Sequence, residues 1–264
     1  MYQKVKQTNR YLITGTSSGL GKYLFEFFGG TSFTRESTQK EIEKLKQSGV
    51  DVIIHAAFNS TNDVTSDNLY SYIEDNILLT QNLLNIPNKK FVFISSVDVY
   101  PKDNKKHAEE ELINLNQIKG IYGITKLISE CLVKENTTQC LILRCSALLG
   151  KYSRKNTLTK IVEERNPVLT LSSQSSVNFI SYYVVSDFIK IALEKNLQGV
   201  YNLTSSENIT VSQIVDLLRK EVQFGNYTYN AGNINASKSN SILPRLKKTS
   251  LETINEFLNS LNGK

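Results

Sequence analysis

The chain is poor in sulfur and imidazole: it has three cysteines, one methionine and two histidines in 264 residues. Cys131, Cys140 and Cys145 are odd in number and lack metal-ligand spacing. That argues against a disulfide framework and a metal site, and leaves buried free thiols in a reducing compartment as the expectation. His55 and His107 make no nucleophile or metal constellation, which removes hydrolase and metalloenzyme readings. His55 is expected as a packed strand-end residue, and His107, after Lys105-Lys106 in a polar segment, as a solvent-exposed one. Long apolar runs are also missing. Apolar residues make up 40% of the chain, but the stretches at 50–58 and 91–96 are far too short to cross a bilayer, so a soluble protein without a membrane partner is expected. Met1-Tyr2-Gln3-Lys4-Val5-Lys6 contains no h-region before the first apolar run, so no signal peptide and a cytoplasmic location are expected. The net charge of +6 comes from scattered lysines with no interleaved aromatic stacking platforms. Nucleic acid is therefore not an expected partner, although a modest positive field helps to attract phosphorylated ligands.

What is present is an alternation. Short β-rich runs at 11–14, 32–34, 50–55, 91–95 and 139–144 alternate with amphipathic segments at 23–28, 40–47, 69–85 and 122–134. This order predicts an α/β fold with a helix-covered parallel sheet, and continuous runs such as Phe91-Val92-Phe93-Ile94 suit strands buried on both faces. After Gly150 the alternation loosens. Residues 1–150 are expected to form the main domain, with a returning segment near 177–204. Residues 151–176 and 205–264 are expected to form a smaller lobe, with a helix at 210–222 and an amphipathic helix in the tail.

Three features carry chemistry. Thr14-Gly15-Thr16-Ser17-Ser18-Gly19-Leu20-Gly21 follows the first strand and opens a helix, the context in which a glycine-rich turn cradles the pyrophosphate of a dinucleotide. The second strand ends Phe33-Thr34-Arg35 with no acid until Glu36. An acid there accepts from the adenosine ribose and an arginine pairs with a 2′-phosphate, so Arg35 tilts the expectation toward NADP over NAD, with a plain surface arginine as the competing reading. Tyr122-Gly123-Ile124-Thr125-Lys126 places a phenol and an ammonium on one helix face, where the cation favours the phenolate and lets the pair act near neutral pH. An amphipathic surface helix with an aromatic anchor is the competing reading of that motif.

Together with His55-Ala56-Ala57 and Ser95-Ser96-Val97-Asp98-Val99-Tyr100, these residues resemble the short-chain dehydrogenase/reductase superfamily. Ser96 precedes Tyr122 by 26 residues, a separation similar to that of the extended, nucleotide-sugar-modifying branch, the NAD-dependent epimerase/dehydratase family. The resemblance implies a Rossmann-type doubly wound parallel sheet with a small C-terminal substrate-binding lobe. It implies Tyr122 as acid/base, Lys126 as the group that lowers its pKa and holds the nicotinamide ribose, and Ser96 as donor to the reacting oxygen. Gly15, Thr16, Ser18, Gly19 and Leu20 would line the pyrophosphate, Ala56 and Ala57 would pass beneath the adenosine side, and Ser95 and Arg35 complete the implied cofactor site. Ser96, Asp98 and Arg154 are the implied substrate contacts. Asp98 stands where relatives carry an acid or a thiol, and a plain turn residue is the competing reading. Val97 leaves the dehydratase acid/base pair incomplete, which favours 4-keto reduction or epimerisation.

The chain departs from the branch in its glycine spacing, in an abbreviated strand–helix unit after the second strand, and in a trimmed lobe. A cytoplasmic NAD(P)-dependent oxidoreductase or epimerase of a nucleotide-linked sugar, assembled as a homodimer through helices 69–85 and 122–134, is the implied protein. Reduction of a non-nucleotide carbonyl compound and non-catalytic dinucleotide sensing are the alternatives.

Overall fold

Strands whose side chains are apolar on both faces have nowhere to go but the middle of a covered sheet. The computed structural model describes residues 9–61, 63–103 and 105–261; the leading Met1-Tyr2-Gln3-Lys4-Val5-Lys6 segment lies outside them. Six strands form one sheet: β1 (Tyr11–Thr14), β2 (Thr31–Phe33), β3 (Val52–His55), β4 (Lys90–Ser96), β5 (Cys140–Cys145) and β6 (Gly199–Leu203). Their order is β6-β5-β4-β3-β1-β2, all parallel, and every residue of β4 and β5 is buried.

Helix α1 (Gly19–Phe28) and the helix Tyr182–Glu194, which contributes Phe188, cover one face over Ile13, Val92 and Leu141. The other face packs Leu12, Ile53, Phe91, Phe93 and Ile142 against Leu83 and Val133. Those two residues belong to α3, a composite of Leu69–Ile73, a π turn over Glu74–Leu78 and Leu79–Leu84, and to α4 (Ile121–Asn136). Only α2 (Gln39–Ser48), opened by a Thr38/Glu41 capping box, separates β2 from β3, so the unit after the second strand is indeed short. Because β1 lies between β2 and β3, the chain reverses direction across the sheet there, and a crevice opens at the carboxyl ends of these strands. A separate apolar cluster, including Leu149, Leu158, Phe179, Ile214, Ile254 and Phe257, lies beyond the sheet.

Three local expectations are corrected. Cys131 is exposed on α4, whereas Cys140 and Cys145 are buried in β5; all three are free thiols. His107 is buried, stacked on Tyr100 at 5.3 Å, because half-exposed Asp103 and Glu111 face its two ring nitrogens at 2.9 and 2.7 Å and satisfy them. The helix expected over 210–222 spans Val211–Leu218 and ends where Arg219 turns left-handed. No described helix is long and apolar enough to cross a membrane.

The carboxyl ends of β4, β5 and β6 are joined by a buried polar network. Glu130 of α4 is fully buried and accepts from Arg144 Nη2 at 2.7 Å and from Ser95 Oγ at 2.6 Å. Arg144 Nη1 also donates to the Tyr100 hydroxyl at 2.7 Å, which donates in turn to Asn202 at 2.9 Å. Removing one partner of such a pair strands the other charge without solvent. Glu130→Ala should therefore lower unfolding free energy by about 3–5 kcal/mol in urea denaturation; a loss below about 1 kcal/mol, typical of an exposed pair, would show that the network does not hold these strands.

Candidate active site

The glycine turn is built by steric necessity. Gly15 has φ +73°, and a Cβ on it would come within 2.9 Å of the Ala57 backbone; a Cβ on Gly21 would collide with the Gly15 carbonyl. The turn therefore closes tightly against the segment after β3. Ser18 is the N-cap of α1 and makes no side-chain cap bond, which leaves the amides of the first turn without a side-chain partner. These elements border a cleft of about 960 Å³ lined by Gly15, Ser18, Phe33–Ser37 at the end of β2, Ala57–Thr61 after β3, Asp75 of α3 and Arg154.

A chain of hydrogen bonds sets the floor of this cleft. Thr14 Oγ1 accepts from the amides of Ala56 and Ala57 at 3.1 and 2.9 Å and lies 2.9 Å from His55 Nδ1. Thr80 lies 3.0 Å from His55 Nε2, and its hydroxyl donates to the Asn76 carbonyl. The pattern assigns a neutral imidazole that accepts at Nδ1 and donates from Nε2. Burial, with Lys126 adding to it, pushes His55 down to about 3, so it is a packing residue with no proton to exchange near neutrality. Asn76 clamps the same segment by exchanging two hydrogen bonds with the backbone of Asn59, at 2.7 and 3.0 Å.

At the end of β4 a second group gathers. The Ser96 hydroxyl accepts from the Asp98 amide at 3.1 Å and donates to its carboxylate at 3.3 Å. Asp98 Oδ1 also accepts from the Tyr229 hydroxyl at 2.8 Å and faces Lys102 Nζ at 2.7 Å, a close ion contact rather than an aligned hydrogen bond. On α4, the Tyr122 ring meets Phe58 edge-on at 5.5 Å, and Lys126 Nζ lies 3.6 Å from the Phe58 ring centre while donating to the Ile94 carbonyl at 2.6 Å. The expected lowering of the Tyr122 pKa by Lys126 is not what this geometry produces. The ammonium is 6.0 Å from the Tyr122 ring centre, and burial first, then Asp98, raise the phenol well above 10, with the nearby Ser96 hydroxyl pulling the other way. Tyr122 is a neutral O–H donor at neutral pH. Lys126 itself is pushed by burial from the ordinary 10.5 to about 7, against the opposing pull of Cys145 and Glu130.

Sequence-predicted residues fall into three sets. Gly15, Ser18, Arg35, Ala57 and Arg154 line the one cleft. Ser96, Asp98, Tyr122 and Lys126 assemble beside it, joined to it by Phe58, which borders both. The remaining side chains are turned inward: Leu20 packs in the core, Thr16 bonds Ser32 at 2.5 Å, and Ser95 bonds Glu130; Gly19 is buried in α1 and Ala56 packs against the core. The resemblance implies Arg154 as a substrate contact, yet it stands at the glycine turn, its Nε 3.3 Å from Ser18 Oγ. The cause is a pair of long-range contacts: Gly19 N–H bonds the Tyr152 carbonyl at 2.9 Å and Tyr152 bonds Glu26, which folds residues 151–155 back onto α1. Phe58 and Tyr229 are the residues that sequence reasoning missed. Phe58 had a signal in its place directly after Ala56-Ala57; Tyr229 had none, since 131 residues separate it from Asp98.

Lys126 generates a pH test. Between about pH 7 and the ordinary 10.5 the unfolded chain carries a proton on this residue that the folded protein has released, so the stability linked to it rises with pH through that window. The urea-unfolding free energy of the wild type relative to Lys126→Met should climb from about pH 7 to about pH 9. A difference that stays flat over this range would mean that the ammonium is not desolvated.

Among solved structures, the chain is similar to a dTDP-4-dehydrorhamnose reductase of Bacillus anthracis in complex with NADP, with TM-score 0.78, 20% identity and coverage of 96% of this chain and 99% of that one. It is similar to a UDP-glucuronic acid 4-epimerase of Bacillus cereus in complex with UDP-glucuronic acid and NAD, with TM-score 0.76, 20% identity and coverage of 96% and 99%. A dTDP-4-dehydrorhamnose reductase of Clostridium acetobutylicum superposes with TM-score 0.77 at 15% identity, covering 96% and 99%. At these identities the likeness establishes the Rossmann-type fold. A search of curated proteins finds no match. The model of the NAD dependent epimerase/dehydratase family matches residues 11–203, well over half of the sequence, and the chain belongs to that family.

Proposed function

We propose that this protein is an NAD(P)-dependent oxidoreductase that reduces, or epimerises through oxidation and reduction, a nucleotide-linked sugar, with Ser96, Tyr122 and Lys126 as its proton-handling residues. One observation carries the reading: Phe58 is shared between the glycine-turn cleft and the Ser96–Tyr122–Lys126 group, so a ligand extended along the cleft ends beside the phenol. The residues present fit a dinucleotide. The cleft volume of about 960 Å³ lies in the range of cofactor pockets, the first-turn amides of α1 lack a side-chain cap, and Arg154 stands beside Ser18. Similar folds crystallised with NADP and with NAD support the same conclusion.

When bound, the dinucleotide supplies or accepts the hydride. The chain's own residues manage the proton. Tyr122, held neutral by burial, can donate to a carbonyl oxygen as it gains charge, and the Ser96 hydroxyl can donate to the same oxygen on turning away from the Asp98 carboxylate that it bonds at 3.3 Å. A phenol poised as an acid suits the reducing direction. Lys126, near half-protonated at neutral pH, supplies adjustable positive charge behind the ring pair. Asp98, braced by Lys102 and Tyr229, fixes the Ser96 hydroxyl. A second, smaller cavity of about 100 Å³ beyond Val97 is lined by Ser146, Asn178, Thr204, Ser205, Asn208 and Asn233, with no ionisable side chain. Its hydroxyl and amide groups, set beside Val97, Ala231 and Ile234, suit a hydroxylated ligand. Exposed Leu69 and Tyr70 on α3 and Ile128 on α4 support pairing of two copies through these helices.

Tyr122→Phe removes the proton donor and leaves the cleft intact. Turnover of 4-keto nucleotide sugars, followed by nicotinamide absorbance, should fall by roughly 10²–10⁴-fold while dinucleotide affinity stays unchanged. Retention of activity in the variant would rule out this mechanism. In thermal-shift titrations a dinucleotide together with one nucleoside diphosphate should raise the melting temperature; a shift with dinucleotide alone would argue against the nucleotide sugar.

A further inference from the structure

Arg35 is the basic residue at the end of β2, but its guanidinium is already engaged. Its Nε and Nη2 donate to the two oxygens of Asp75 at 3.1 and 2.5 Å, a two-point ion pair reaching across the cleft from the end of β2 to α3. The backbone at one end of this bridge and the carboxylate at the other are held, while the Arg35 side chain itself is 79% exposed. The backbone after β2 is held by Ser37 Oγ, which accepts from the Thr34 amide, and by Thr34 Oγ1, which accepts from the Glu36 amide, at 3.1 and 3.2 Å. Asp75 lies in the π turn of α3 and accepts a further bond from Asn59 Nδ2 at 2.9 Å. Such one-turn π segments re-aim side chains and recur at functional sites. The charged residues lining the cleft are Arg35, Lys46 and Arg154 against Glu36, Glu74 and Asp75, three of each sign, so the cleft as built has no excess positive charge for an added phosphate.

We propose that Asp75 is a selectivity-determining residue for the cofactor: it withholds Arg35 from the 2′-phosphate of NADP and thereby shifts the NADP-to-NAD affinity ratio toward NAD. A 2′-phosphate finds the Nε/Nη2 edge of Arg35 taken by Asp75 and must displace it or use the Nη1 side, and in either place it sits near a carboxylate of like sign. A 2′-hydroxyl meets neither obstacle, since it can donate to a carboxylate oxygen that still has acceptor capacity. This rests on the dinucleotide reading given above, and it assigns a role to an acid that comes from α3 and not from the end of β2.

The test is calorimetric titration of the full-length protein with NADP⁺ and with NAD⁺. Asp75→Asn keeps the shape and the Asn59 contact but removes the charge. It should raise the NADP⁺/NAD⁺ affinity ratio about tenfold, the scale of one charge-assisted hydrogen bond. In the double variant Asp75→Asn/Arg35→Ala the gain should vanish, because the freed guanidinium is gone. Asp75→Ser gives the same readout should the asparagine variant fold poorly. A ratio that moves less than about twofold in a folded variant, or a gain that survives loss of Arg35, overturns the proposal while leaving the dinucleotide site standing. Failure of the unaltered protein to bind either dinucleotide overturns the dinucleotide reading and this proposal together.

Discussion

The Glu130 carboxylate, buried on α4 with Arg144 and Ser95 as its partners, holds the helix that carries Tyr122 and Lys126 against the ends of β4 and β5. An uncompensated charge in that position would cost several kilocalories, so the pair admits little freedom in how α4 meets the sheet. Ser95 donates into this network, and its neighbour Ser96 therefore points the other way, toward Asp98. The alternation of a β-strand thus converts one buried ion pair into the placement of the hydroxyl that stands beside the phenol. Arg144 extends the same constraint through Tyr100 to Asn202, so three strand ends are registered together.

Burial then sets the chemistry of the groups so placed. The low dielectric that makes the Glu130–Arg144 pair obligatory also strips solvent from His55, Lys126 and Tyr122. Each responds by favouring its neutral form: His55 and Lys126 fall, and Tyr122 rises. A lysine expected to act on its neighbouring tyrosine by charge is instead occupied by the Ile94 carbonyl and the Phe58 ring. The result is a phenol held neutral and a lysine of lowered basicity beside a cleft whose lining charges balance.

Much of this was legible in the one-dimensional pattern. The apolar runs at β3 and β4, the glycine turn and the helix bearing Tyr122 and Lys126 were identified because each depends on residues close in sequence, with periods of 2 or 3.6 that report local geometry. The composite character of α3 was not legible, since a π turn inserts one residue into a helix without changing its composition. His107 departs from its local context for a related reason: its polar neighbours predict solvent, but half-exposed Asp103 and Glu111 pair its two ring nitrogens and let the ring bury against Tyr100.

What the sequence alone determined was the parallel α/β architecture, the position of the glycine turn after β1 and the presence of Ser96, Tyr122 and Lys126 on adjacent elements. These follow from steric rules and hydrophobic periodicity, which act over a few residues. Only the tertiary structure decided that Arg154 folds back to the glycine turn, that Tyr229 reaches Asp98, and that Arg35 is paired with Asp75. Each of these contacts joins residues 40 or more positions apart. Electrostatic and hydrogen-bonding partners are chosen by distance in space, and no local property of the chain encodes that distance until the sheet and its covering helices have brought the segments together.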